Sequence, residues 1–363
     1  MIIPNWSWEP KPDYTRLLKA LSCQGDPHFV PFLELFADTE VIAYLLNEPV
    51  FRDNDKESIC ISLDQKIRFW YQLGYDAFWE EAILDFPNLI KLSVEDTAPL
   101  ASANRRWVDE KAGVITNWEQ FERYPWPKVS DVNFFPMEYV AHNLPDGMAM
   151  IASVNGILET VMWLMGYETL AYNIYDQPDL VQAMFTKIEE IFIPLARSVV
   201  EMDGVIALWM GDDMGYRTQT MIAPKHLRQY VFPIQKEIAA IAHEQELPFL
   251  LHSCGQLEAV MDDLINDVGI DAIHSFEDVI EPVESFSARY NHKIAIIGGV
   301  DVDLLARGSE DNVRARTREI LEACAPGKGY LLGSGNSITN YIPTSNFLAM
   351  LDEGWRFNTE YYS

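Results

Sequence analysis

The stretch PFLLHSCG, residues 248–255, closes an apolar run with His252 and Cys254 two positions apart. Side chains alternate between faces on an extended chain, so both point the same way. Imidazole and thiolate are both good zinc donors, but a zinc site takes at least three protein ligands. Three readings stay open: a zinc site completed from elsewhere, a metal-free polar site, or a His/Cys pair that finishes a buried strand. Carboxylates are the other groups able to do chemistry. Asp212 and Asp213 close VIALWMGDD, Glu80 and Glu81 lie in YDAFWEEAIL, and Glu277 and Asp278 close IDAIHSFED. Adjacent carboxylates face opposite ways, so Asp212 and Asp213 are expected to differ in role. Asp212, Glu81, Glu277 and His252 are the catalytic candidates. Glu80, Glu81, Glu277 or Asp212 could add an oxygen ligand to His252 and Cys254. Phe36, Trp79 and Trp209 could sandwich a flat ring, with Asn155 and Asn336 as polar contacts to a substrate. His274 reads more readily as a satisfied strand histidine than as part of a site.

These residues share one feature: each lies at or near the C-terminal end of a short apolar segment. The segments are 28–38, 75–84, 148–156, 205–213, 248–255, 270–278, 293–301 and 329–337. Most are followed by an amphipathic stretch, such as those near 157–174, 178–202, 223–245 and 309–325, with a last helix from about Pro343. Strand–helix alternation predicts a parallel sheet with helical crossovers. Eight such units closing on themselves make a (β/α)8 barrel, whose chemistry sits where the strand ends meet. No GxGxxG follows the first strand, which weakens the competing dinucleotide-binding sheet. Residues 95–135 break the alternation. RRWVDEKAGVITNWEQFERYPWP suggests a hairpin and an aromatic-rich loop inserted after the second strand.

The bulk composition limits the partners. The 363 residues carry 27 Lys+Arg against 55 Asp+Glu, a formal charge of −28. Such a surface repels nucleic acid and anionic membrane, and disfavours a strongly anionic substrate. The four cysteines, Cys23, Cys60, Cys254 and Cys324, show no paired spacing, as expected of a reduced, cytoplasmic protein. The first residues, MIIPNWSWEPKPDY, lack a signal-peptide pattern, and no apolar window is long enough to span a membrane.

The order of several motifs resembles the uroporphyrinogen decarboxylase superfamily. They are NGILETVMWLMGYETLAYNIYDQPDLVQAMFTKI, GDDMGYRTQTMIAPKHLRQYVFPIQKEI, LLHSCGQ, GIDAIHSFED, IGGVD and GYLLGSGNSI with IPTSN, over residues 150–350. The resemblance implies a (β/α)8 TIM barrel as a single domain over 1–363. It is to the corrinoid-dependent methyltransferase branch rather than to the decarboxylases. Those carry an arginine-rich stretch after the first strand, where this chain has VPFLELFADTEV, and a histidine between two glycines, where it has Ser334. Members moving methyl between a corrinoid protein and a thiol bind zinc through His-x-Cys and a later Cys. His252 and Cys254 match the first two; the third position falls at Asn336, a poor zinc ligand. The chain looks more like the methyltransferase component of an O-demethylase, moving methyl from a small methoxylated aromatic to a corrinoid protein; a decarboxylase of the same superfamily and a non-catalytic barrel that binds a corrinoid partner stay open as alternatives. None of the seven histidines lies in a DxHxxG cobalamin loop, so the resemblance implies a cobalamin supplied by a partner protein.

Overall fold

The computed structural model describes residues 9–25, 29–49, 55–100 and 104–361. In chain order the strands are β1 (Ala77–Glu81), β2 (Lys91–Glu95), β3 (Asn104–Val108), β4 (Ala149–Asn155) and β5 (Val205–Gly211). They continue as β6 (Phe249–His252), β7 (Ala272–His274), β8 (Ala295–Ile297) and β9 (Tyr330–Leu331). Seven of them form one parallel sheet in the order β1-β4-β5-β6-β7-β8-β9. Helices cross over between successive strands, the longest being Pro178–Val200 and Glu310–Cys324.

The sheet is curled around a shared interior. Ala77, Ile151, Trp209, Leu250, Ala272, Ile297 and Leu331, from the seven strands in turn, meet in one apolar cluster with Leu33. Leu17, Ala20 and Leu21 of helix Tyr14–Leu21 join the same cluster. Residues 31–33 bond to Leu332 just after β9 while the Phe32 ring packs on Tyr75 just ahead of β1, which draws the two edges of the sheet toward each other. The opposite faces of the strands, for example Met150, Met210 and Leu251, belong to the second and larger core under the helices. Burial on both faces explains the continuous apolar runs in the sequence.

The eighth expected strand, over 28–38, is not a ladder strand. Its described part meets the sheet through single parallel bridges, Phe32 to Leu332 and Ala37 to Ile338. Pro31 has no N–H to give; its carbonyl accepts from Leu332, and Leu33 donates back to the Leu332 carbonyl. His28 lies outside the described residues. Two helices also differ from expectation. The helix predicted over 157–174 is two, Ile157–Met165 and Tyr167–Asp176, parted at Gly166 with φ of 77°. The helix over 223–245 widens into a π turn at Leu227–Val231, just ahead of Pro233. Proline would clash with the carbonyl four residues back, and the wider turn relieves it. Strands β2 and β3 form an antiparallel pair apart from the main sheet, and β2 lies ahead of the RRWV stretch. No helix among the described residues is long and apolar enough to cross a membrane.

Candidate active site

Strand phase decides which side chains reach the interior mouth. Register runs from Asn155 through Gly211, His252 and His274 to Ile297 and Leu331. Leu250 and Ala272 face the interior, so His252 and His274, two residues on, face it as well. Their rings meet, with Nδ1 to Nδ1 at 2.7 Å. Trp209 also faces inward, which puts Asp213 on the inner side and Asp212 on the outer side.

Asp213, His252 and Cys254 converge. Their donor atoms all lie within 4.8 Å of one another. His252 Nε2 is 3.5 Å from Asp213 Oδ1 and 3.6 Å from Cys254 Sγ. Tetrahedral zinc with bonds of roughly 2.0–2.3 Å sets its donors about 3.3–3.8 Å apart, so these spacings and this N, O, S donor set fit zinc. The loops carrying Asp213 and Cys254 are hydrogen-bonded to each other: the Cys254 N–H donates to the side-chain Asp213 Oδ1 at 2.7 Å and the Gly215 N–H to the Cys254 carbonyl at 3.1 Å. A Cβ on Gly255 would lie 2.3 Å from the Gly215 carbonyl carbon, so only glycine permits this approach. The Cys254 sulfur accepts from Ser275 Oγ at 3.4 Å and Asn336 Nδ2 at 3.3 Å.

The electrostatics suit a cation. Burial, then the charge of Asp213, pushes the Cys254 thiol up. Burial, then Asp213, Asp212 and Glu110, pushes Glu159 well above the usual carboxylate range. Burial pushes His252 down, outweighing Asp213, and pushes His274 well down, with His252 adding to the effect. A neutral His252 imidazole beside a carboxylate and a thiol forms a donor set, since metal ligands must be deprotonated and a bound cation removes the thiol proton.

Uroporphyrinogen decarboxylase (URO-D) is the family whose model matches the chain, over residues 114–355. The chain belongs to the URO-D family. It is 24% identical over 226 residues to a uroporphyrinogen decarboxylase of Anaeromyxobacter dehalogenans, covering 59% of this chain and 61% of that protein. It is 27% identical over 185 residues to the methylcobamide:CoM methyltransferase MtbA of Methanosarcina mazei, covering 50% of each. The chain thus spans about half to three-fifths of the curated relatives it matches. Among solved structures, a methyltransferase from Methanosarcina mazei superposes with a TM-score of 0.67 at 16% identity, over 94% of this chain and 98% of that one. This likeness shows that the curled sheet is of the barrel type found in that structure.

The URO-D match contains all three donors, whereas Phe36, Trp79 and Glu81 lie ahead of it. The structure brings His252, Cys254 and Asn336 together. Asn155 Nδ2 donates to Glu81 Oε1 at 3.0 Å, and burial, then Glu80, pushes Glu81 up to about 7. Phe36 and Trp79 form a tilted pair with centroids 6.2 Å apart. Trp209 is fully buried beneath the site, its ring 5.3 Å from that of His274. Glu277 is exposed and lines a separate groove of about 870 Å³ with Asp301, Arg316 and Tyr341, to which Asn336 also contributes. Asp212 is fully buried and faces the helices, accepting from the Glu159 N–H and Gln235 Nε2. Sequence reasoning did not choose Asp213 as the third donor, although counting by twos from Trp209 would have done so. It also missed Glu159, whose signal was an acid three residues into the helix after Gly156.

Proposed function

We propose that this chain is a corrinoid-dependent methyltransferase. In this reading it moves a methyl group from a small methoxylated aromatic donor to the cobalt of a corrinoid protein, an O-demethylation. The observation that carries the reading is the Asp213, His252 and Cys254 donor group at the strand ends. Its acidic neighbours Glu159, Asp212 and Glu110 offer no positive charge to hold a polycarboxylate substrate. Kinship with a methylcobamide:CoM methyltransferase supports the same reading. We read the whole chain as one eight-unit barrel, with residues 30–34 in the eighth position and residues 95–135 as an insertion.

The methyl carbon leaves the ether oxygen for the acceptor's cobalt, and the bonding pair stays on the phenolate oxygen. That leaving group is poor unless its oxygen is neutralised. Zinc, held by Asp213, His252 and Cys254, would supply a Lewis acid for this oxygen. Glu81, held by Asn155 and still partly protonated near pH 7, gives the oxygen its proton. Phe36 and Trp79 flank the ring. Asn336 fixes the Cys254 sulfur and reads a polar substituent beside it. Two observations favour a second reading, transfer from a methylated corrinoid to a thiol: the donor group contains a cysteine, and a related enzyme's name describes that reaction.

The test uses zinc-loaded protein, a reduced corrinoid protein and a panel of methoxylated aromatics. Methylcobalamin absorbance should rise with at least one donor. Failure with every donor, together with turnover of a methylated corrinoid by a thiol, would replace the first reading with the second. Turnover of uroporphyrinogen would sink both.

A further inference from the structure

A chain of buried polar groups runs inward from the donor group. His252 Nδ1 meets His274 Nδ1 at 2.7 Å. His274 Nε2 meets the Ser334 carbonyl at 3.4 Å. Ser334 in turn donates twice to Glu34, from N–H to Oε1 and from Oγ to Oε2, both at 2.7 Å. His274, Ser334 and Glu34 are 0%, 0% and 3% exposed, so water cannot substitute for any partner.

The directions of these bonds follow from which atoms can donate. A carbonyl oxygen only accepts, so His274 Nε2 must carry the proton. A neutral imidazole has one N–H, so His274 Nδ1 is a lone pair. The facing nitrogen must then donate, which puts the proton of His252 on Nδ1. His252 Nε2 is left as a lone pair turned toward Asp213 and Cys254. The opposite assignment would set two acceptors against each other at Ser334 in a site without water, a costly arrangement.

We propose that His274, anchored by Ser334 and Glu34, is a positioning residue that fixes the tautomer and rotation of His252 for a divalent cation. This rests on the metal-dependent reading above. His274 touches neither the cation nor the substrate. It acts through His252, as outer hydrogen-bond partners of metal-bound histidines generally do. The Trp209 ring packs at a tilt against the His274 ring, with centroids 5.3 Å apart. This gives the fully buried Trp209 a supporting place beneath the site.

The experiment compares His274→Leu with His274→Asn. Asparagine Oδ1 can stand near the position of imidazole Nδ1 and accept from His252; leucine cannot. Zinc affinity is read by competition with a chromophoric chelator. The ligand field is read from the visible spectrum of the cobalt(II)-substituted protein. His274→Leu should weaken zinc binding about 10- to 100-fold and shift the cobalt bands. His274→Asn should stay within a few-fold of the unaltered chain and keep its spectrum. Equal loss in both variants, or no loss in either, overturns the proposal. A second measurement needs no variant. In protein labelled with 15N-histidine, with only seven histidines to resolve, His274 must appear as the Nε2–H tautomer and His252 as Nδ1–H. An Nδ1–H form of His274 refutes the inference even if both variants fail to fold. If the unaltered chain binds no zinc or cobalt, the metal-dependent reading fails; if it binds metal and His274→Leu binds equally well, only this inference fails.

Discussion

Asp212 and Asp213 are neighbours in sequence with opposite duties, and replacing each by alanine separates them. Asp212 has no exposed surface and serves as a remote cap for helix Ile157–Met165. Its Oδ1 accepts from the Glu159 N–H at 3.1 Å and its Oδ2 from Gln235 Nε2 at 2.7 Å. The helix's own cap position is Gly156, where a Cβ would lie 2.6 Å from Asp212 Oδ1. Asp212→Ala therefore leaves the Gln235 amide only the weak Met214 sulfur acceptor at 3.5 Å and strands the first-turn N–H groups in a dry site. Each stranded buried donor costs about 1–3 kcal/mol. The lost cap, about 0.5–2 kcal/mol, overlaps with the first of them. Burial also pushes the Asp212 carboxyl up to about 7, so removing it relieves part of a desolvation cost. A net loss of about 2–4 kcal/mol follows, a large share of the roughly 5–15 kcal/mol typical of a folded chain. Asp213 is 31% exposed at its side chain and accepts one part-buried N–H, that of Cys254, so Asp213→Ala should cost about 1 kcal/mol, less than Asp212→Ala. It should instead remove one of three metal donors. The assay is urea unfolding followed by tryptophan fluorescence, paired with zinc content after dialysis. An Asp212→Ala protein with an unchanged midpoint and lost turnover would refute the scaffold role and restore Asp212 as a catalytic group. Stoichiometric zinc in Asp213→Ala would refute the donor assignment.

Two pH effects follow from the buried carboxylates. Burial raises Glu34 from 4.5 to about 8, so the folded chain holds that proton more tightly than the unfolded chain. Its contribution to stability is therefore complete below about pH 4.5 and is lost as pH rises to about 8, by at most about 1.4 kcal/mol per unit. Glu34→Gln should flatten that slope in urea midpoints taken from pH 5 to 8; an unchanged slope would show that Glu34 does not titrate there. If Glu81 gives the proton, turnover should be retained below about pH 7 and fall above it, the limb set by its raised carboxyl. Glu81→Gln should abolish that limb and lower the rate about 10²–10⁴-fold, and an unaltered pH profile would remove Glu81 from the mechanism.

The sequence by itself determined the class of fold and the neighbourhood of the site. Apolar runs followed by amphipathic stretches require strands buried on both faces and helical crossovers, and seven of the expected strands form the sheet. His252 and Cys254 share a face by simple alternation, which needs no tertiary knowledge. Which group stands third to them could not be read locally. Asp213 reaches Cys254 only because two loops touch at Gly215 and Gly255, an approach set by strand register and sheet curl. His274 looked like a satisfied strand histidine, and it is one; its partner is the decisive point, and pairing β6 with β7 in register supplies it. Glu34 and Ser334 lie 300 positions apart, and only closure of the chain's two ends toward each other makes them neighbours. Trp209 passed for a ring-binding residue because a tryptophan near a strand end has the right chemistry. Its phase and the depth of the interior place it in the core instead. Local pattern fixes which face a side chain takes, whereas register, curl and loop contact fix which other side chains share that space.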